Sequence, residues 1–132
     1  MLLRTRFVGL LVAVLAVPTL AFADTTITGQ KKGAFFQITV PTVWNGTLVI
    51  NNHGFDFAPP APNPGLGTLA PLMLSQGYAV AATSYSNCCW TLFSTKQDLN
   101  RLLEIFEDNF GAPSSVIVHG RNSPGAFGCT PR

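Results

Sequence analysis

The sequence has few charged side chains and only two histidines. Charged residues make up 11% of its 132 residues, with eight Lys and Arg against six Asp and Glu. Two of the basic residues, Arg4 and Arg6, lie at the extreme amino terminus, and the rest of the chain carries no formal net charge. Nucleic acids and anionic membrane surfaces are bound through an excess of basic side chains. The charge balance therefore favours neither as a partner.

A long apolar span is also missing. The apolar run over residues 7–20 follows a positively charged start and precedes the small-residue segment Ala21-Phe22-Ala23. This order is typical of a secretory signal peptide, predicted over residues 1–23. A membrane anchor is the alternative, but the run is shorter than the ~20 residues that a span needs. The mature chain, residues 24–132, is then expected to be one secreted or periplasmic domain, free of the membrane.

Cysteine is scarce, and its count is odd. In an exported chain with Cys88, Cys89 and Cys129, at least one thiol is free or paired outside the molecule. A bridge between Cys88 and Cys89 is strained because neighbouring Cα atoms lie too close together. Pairing of Cys129 with either of the others remains open. The cysteines and the two histidines show no ligand spacing, so neither a metal nor a cofactor is expected.

Hydrophobic patterns divide the mature chain into short strands and two helices. A polar segment ending in glycine, residues 30–33, predicts a hairpin, and the alternation over 34–40 predicts a half-buried edge strand. Strands that alternate with helices over short connections predict parallel crossovers and an α/β fold. Strands are predicted over 25–30, 34–40, 47–52, 78–83 and 115–119, and helices over 68–76 and 94–110.

The second helix has the strongest pattern. Its apolar residues recur three or four positions apart and form one stripe. The segment Ser94-Thr95-Lys96-Gln97 predicts a capping box at its start, and Asp98 is interpreted as a charge on the helix surface. The residues of the stripe are Leu99, Leu102, Leu103, Phe106 and Phe110.

Short motifs follow one another in order along residues 25–120. They are Val40-Pro41, Trp44-Asn45-Gly46-Thr47-Leu48-Val49, His53-Gly54-Phe55, Gln76-Gly77-Tyr78-Ala79-Val80-Ala81 with Ser84-Tyr85-Ser86, and Gly111-Ala112-Pro113. Together they resemble the amino-terminal half of an α/β-hydrolase of the exported bacterial hydrolase and esterase type. The resemblance implies a mostly parallel sheet with an amino-terminal antiparallel hairpin.

The resemblance also implies a site. His53-Gly54-Phe55 matches the loop that supplies one oxyanion donor in this family, which assigns that donor to the backbone N–H of Phe55. The implied substrate is a small-molecule ester or amide. The alternative interpretation is that His53-Gly54 merely turns the chain at the end of a strand.

The candidate nucleophile is Ser123, which follows the last predicted strand. Gly125 fits the second glycine of G-x-S-x-G, but Arg121 occupies the position that needs a small residue. Pro124 has no N–H, so the second oxyanion donor is missing. The other register places Asn122 at the nucleophile position, and an amide does not serve as an acyl-transfer nucleophile. Neither register completes the elbow.

The acid and base of a triad are absent after Ser123, because residues 124–132 contain no Asp, Glu or His. His119 is interpreted as a strand-end residue and Asp56 as a loop charge. The tail, residues 121–132, breaks the helical pattern expected after the elbow. We hypothesise that the chain derives from a hydrolase gene interrupted near codon 121, by frameshift or truncation.

Two functions follow. The first is an interrupted secreted serine hydrolase of the esterase type, inactive alone and only marginally stable. Its strand residues 48–50, 80 and 116–118 are then expected to remain partly uncovered. The second is a small exported, non-enzymatic binding module that uses the loops 59–64 and 85–90. The sequence indicates no particular substrate.

Overall fold

A computed structural model describes residues 23–54, 59–87 and 94–120. The elements follow the order predicted from the sequence, so that prediction is confirmed. The signal-peptide prediction lies outside the described residues except for Ala23. The elements are β1 (Thr25–Lys31), β2 (Ala34–Val40), β3 (Thr47–Asn52), α1 (Ala70–Ser75), β4 (Ala79–Thr83), α2 (Thr95–Phe110) and β5 (Ser115–Gly120).

The five strands form one mixed sheet in the order β1-β2-β4-β3-β5. β3 pairs in parallel with β4 and β5, whereas β2 pairs antiparallel with both β1 and β4. The fold is therefore α/β, as predicted, and its sheet is mixed, with two parallel and two antiparallel strand pairs. Both antiparallel pairs are made by β2, with its neighbours β1 and β4.

The predicted hairpin is confirmed between β1 and β2. Its turn consists of Lys32 and Gly33, which have φ values of 53° and 89°. Two consecutive residues with positive φ are characteristic of a type I′ turn, whose twist matches that of the flanking strands. β2 is not an edge strand, contrary to the prediction, because it lies between β1 and β4. Alternation along one strand does not reveal how many neighbours that strand has.

The core lies between one face of the sheet and α2. Every second residue of β3 faces this helix, and Leu48 and Ile50 are almost fully buried there. Leu102 and Phe106 of the predicted stripe are buried against them. The rings of Trp44 and Phe106 meet edge to face with centroids 5.4 Å apart. The predicted stripe is thus the surface that joins helix to sheet.

The starts of both helices differ from the predictions. Ser94 precedes α2, but its backbone is in the helical region and its side chain makes no capping hydrogen bond to the helix. The capping-box prediction is therefore wrong. α1 begins after Leu69 instead of Thr68, and Gly77 with a φ of 84° follows its end, as predicted. Within the parts of the chain that the structure describes, neither helix combines the length and apolar character needed to cross a bilayer.

The two helical crossovers run in opposite directions along the sheet. The chain passes from β3 through α1 to β4, which is one neighbour of β3 in the sheet. It then passes through α2 to β5, which is the neighbour of β3 on the opposite side. Right-handed crossovers therefore place the two helices on opposite faces. The strand order reverses between β3 and β5, and in open α/β sheets the carboxyl ends of such strands border the ligand site. This edge of the sheet is the candidate site.

The predicted uncovered residues fall into two groups. Residues 48–50 and Val80 are at most 2% exposed, so that part of the prediction is wrong, because both faces of β3 and β4 are covered. The prediction is confirmed for β5, in which Val116, Ile117 and Val118 are 40%, 46% and 40% exposed. Within the described residues β5 pairs with β3 alone and forms one edge of the sheet.

This exposed strand leads to a prediction about self-association. β5 has no Lys, Asp, Glu, Arg or Pro to prevent edge-to-edge pairing. We expect Ile117→Lys to lower self-association, with a change in unfolding free energy within about 0.5 kcal/mol. Sedimentation velocity over a concentration series measures this. Val43→Lys is the matched control, because Val43 is 83% exposed but lies outside the strands. Equal association of the two variants would contradict the prediction.

Candidate functional site

The carboxyl ends of β3, β4 and β5 lie at the same edge of the sheet. The register pairs Asn51 with His119 and Asn52 with Gly120 across β3 and β5. His53 and Gly54 follow β3 directly, and residues 84–86 follow β4. Gly120, at the end of β5, therefore lies beside Asn52, which directly precedes His53. The prediction that His119 ends the last strand is confirmed to within one residue.

His53 packs on the ring of Tyr85. The two ring centroids are 4.5 Å apart and the ring planes are inclined at 37°. The Tyr85 hydroxyl donates a long hydrogen bond of 3.4 Å to the backbone carbonyl of His53. His53 Nδ1 lies 2.9 Å from the carbonyl oxygen of Gly54, and because a carbonyl only accepts, Nδ1 is the donor. In the neutral ring this leaves Nε2 as an acceptor.

Tyr85 has an unusual backbone conformation for a bulky residue. Its φ is 56°, in the left-handed region, and its side chain is 4% exposed. Burial raises the pKa of the Tyr85 phenol well above its usual value, and the negative charge of Asp98 raises it further. The phenol therefore remains protonated over the ordinary pH range and acts as a hydrogen-bond donor.

Asp98 is buried, and its interpretation as a helix-surface charge is wrong. Its side chain is 0% exposed and accepts hydrogen bonds from the backbone N–H and the hydroxyl of Ser86, at 2.8 and 2.9 Å. Its other oxygen pairs with Arg101 Nη1 at 2.8 Å. The spacing of Asp98, Leu102 and Ile105 places all three on one helical face, and all three are buried. That spacing is compatible with burial of Asp98, but it does not reveal the partner Ser86, which lies on a different segment.

Asn52 contributes a further polar group to the site. Its Oδ1 is buried and has no hydrogen-bond partner among the described residues. Its amide nitrogen lies 4.0 Å from the position that a Cβ atom would occupy on Gly120, which is an ordinary van der Waals distance. Asn52 thus lies where β5 ends, and its oxygen is available to accept a hydrogen bond there.

Several predicted site residues lie outside the described residues. These are the candidate nucleophile Ser123, the candidate oxyanion donor Phe55, and Asp56. The three cysteines, and therefore their pairing, also lie outside. Their roles remain predictions. No three His, Cys, Asp or Glu side chains cluster as metal ligands within residues 23–54, 59–87 and 94–120. The expectation of no metal or cofactor remains a prediction too.

The buried phenol predicts a loss of stability at high pH. An unfolded tyrosine titrates near pH 10, so above that pH the unfolded chain releases a proton that folded Tyr85 retains. The free energy of unfolding then falls as pH rises, by at most about 1.4 kcal/mol per pH unit. Below about pH 10 both states hold the proton and the contribution is complete.

Urea unfolding of the wild type and of Tyr85→Phe, from about pH 8 to about pH 11, measures this effect. All other titratable groups are the same in the two proteins, so the difference between their pH dependences isolates Tyr85. We expect the wild type to lose more stability than Tyr85→Phe over this range. Parallel pH dependences of the two proteins would contradict the prediction.

Comparison with known proteins identifies one similar enzyme. The chain is 31% identical over 91 residues to the o-phthalyl amidase of Xanthobacter agilis. The match covers 67% of this chain, and the chain spans 19% of the length of that amidase. No protein-family model matches the chain. No solved structure matches it. The chain is thus similar to a short part of a hydrolytic enzyme.

Proposed function

We propose that this chain carries the oxyanion side of a serine-hydrolase site that acts on small-molecule esters or amides. The observation that carries the proposal is the parallel pairing of β3 with β5, which places Gly120 beside Asn52. In α/β-hydrolases one oxyanion donor follows the nucleophile, which comes after a strand, and the other lies in the loop after the third strand. Here the two corresponding segments, which begin at Arg121 and His53, start from adjacent strand ends.

The sheet supports the proposal that the chain is an α/β-hydrolase half. An antiparallel hairpin at one side is followed by parallel strands with a helix between each pair. The strand that leads to Ser123 is flanked by the strand that leads to His53 and Gly54. That arrangement is what the nucleophile elbow and the oxyanion loop require of their supporting strands.

The similarity to an enzyme named o-phthalyl amidase supports the substrate class. Amide and ester hydrolysis by a serine enzyme pass through the same kind of tetrahedral oxyanion, stabilised by backbone N–H donors. We therefore include an o-phthalyl amide beside simple aryl esters as the substrates to test. Because the match covers 19% of the amidase, only the substrate class is taken from the similarity.

The 132-residue chain is proposed to lack turnover by itself. A serine nucleophile needs a base and an orienting acid, and none follows Ser123 in this sequence. Pro124 cannot donate an N–H to the oxyanion. The groups that would complete a triad with Ser123 are therefore proposed to lie outside these 132 residues. Export through residues 1–23 belongs to the same proposal, and an amino terminus beginning at Asp24 would support it.

Turnover of p-nitrophenyl acetate and of an o-phthalyl amide by the purified chain tests this proposal. We expect rates equal to those of Ser123→Ala, because the triad is incomplete. A rate above background that Ser123→Ala abolishes would contradict the proposal of an inactive chain and identify Ser123 as the nucleophile. The binding-module alternative remains a prediction, because half of its loop 85–90 lies outside the described residues.

A further inference from the structure

We propose that Asp98 is a positioning residue for the oxyanion loop. Through Ser86 and Tyr85 it holds His53 and Gly54 in place at the end of β3. The role in catalysis rests on the function proposed above. The placement itself rests on contacts within the described residues, and it is testable without any turnover.

The first step is the attachment of Ser86 to α2. One oxygen of Asp98 accepts from both the N–H and the hydroxyl of Ser86, at 2.8 and 2.9 Å. Hydrogen bonds to a charged acceptor are about twice as strong as neutral ones. The second oxygen is bound by Arg101, whose side chain is 29% exposed. Asp98 therefore stays buried as a paired carboxylate, and the loop after β4 is fixed to the first turn of the helix.

The second step is the conformation of Tyr85. The residue before it is fixed as well, because the N–H and the hydroxyl of Ser84 both form hydrogen bonds with the backbone of Phe35 in β2. The Ser84 N–H donates to the Phe35 carbonyl at 2.9 Å, and the Phe35 N–H donates to the Ser84 hydroxyl at 3.0 Å. Tyr85 is thus held between two anchored neighbours with a φ of 56°. A bulky residue in the left-handed region is strained, and this conformation persists only where its surroundings fix it.

The third step connects Tyr85 to the oxyanion loop. In this conformation its ring lies against the ring of His53, and its hydroxyl reaches the carbonyl of His53 at 3.4 Å. Tyr85 is therefore the described side chain that contacts both the ring and the backbone of His53. A relaxed, right-handed backbone at Tyr85 would move its ring away from this position. The buried charge on α2 is thus coupled to the loop that supplies the oxyanion donor.

Proton NMR of the two histidine C2–H signals tests this coupling in the full chain. His53→Gln assigns the signals. Tyr85→Leu defines the His53 signal without the ring current of Tyr85, and His119 serves as an internal reference. In Asp98→Asn we expect the His53 signal to move toward its position in Tyr85→Leu. We expect a partial move in Ser86→Ala, which loses one of the two hydrogen bonds. Glu104→Gln, on the exposed side of the same helix, is the matched control and leaves the signal unmoved.

The outcomes separate the placement from the proposed function. If Asp98→Asn does not fold, Ser86→Ala decides the result, because the backbone N–H of residue 86 still binds Asp98. An unmoved His53 signal in a folded Asp98→Asn, or in Ser86→Ala where that variant decides, would overturn the positioning role. A moved signal in a chain without esterase or amidase turnover supports the placement and leaves the enzymatic proposal to the turnover assay.

Discussion

Asp98→Ala is expected to destabilise the protein by about 3 kcal/mol, because it removes one partner of a buried ion pair. The variant leaves the hydroxyl and N–H of Ser86 without their acceptor and leaves Arg101 without its carboxylate. The side chain of Asp98 is 0% exposed, so water does not replace it without structural change. The partial exposure of Arg101 places the loss toward the lower end of the usual range, since its guanidinium can still reach solvent.

Urea unfolding followed by circular dichroism measures this loss. Glu104→Ala is the matched control, because Glu104 also forms an ion pair from α2. That pair, with Lys31 at 3.5 Å, is exposed on both sides, and its loss is expected to cost less than about 1 kcal/mol. Similar losses of unfolding free energy in the two variants would show that burial does not determine how much Asp98 contributes to stability.

Phe106→Ala is expected to be the most destabilising change in the core, with a loss of about 4 kcal/mol. The side chain is 0% exposed and lies between α2 and the sheet. It also makes ring contacts with Trp44 and Phe110, with centroids 5.4 and 5.3 Å apart. Truncation removes the buried apolar surface and leaves a cavity that the surrounding sheet does not fill.

The control is Phe110→Ala at the end of the same helix. Phe110 is only partly buried, so we expect a loss of about 1–2 kcal/mol. Thermal unfolding of both variants is the measurement. Stability of ordinary domains is about 5–15 kcal/mol, so the Phe106 variant is expected to melt far below the wild type. Equal melting temperatures for the two variants would contradict the placement of Phe106 at the centre of the core.

The candidate site was predictable from the sequence only in part. The motif His53-Gly54 follows a strand, as predicted, and its position beside the end of β5 agrees with a shared site. The roles of Asp98 and Tyr85 were missed. The sequence favours a surface position for Asp98, because charged residues are rarely buried without a partner. Its partner Ser86 lies twelve residues earlier, and no local pattern connects the two.

The sequence by itself determined the order of the strands and helices along the chain and the apolar face of α2. Those features depend on the repeat of side chains along a single segment, which is readable without knowing the neighbours. Only the tertiary structure decided the antiparallel neighbours of β2, the burial of Asp98, the left-handed Tyr85 and the exposed edge at β5. Each of these depends on which distant segments meet, and hydrogen bonding and packing between them determine that outcome.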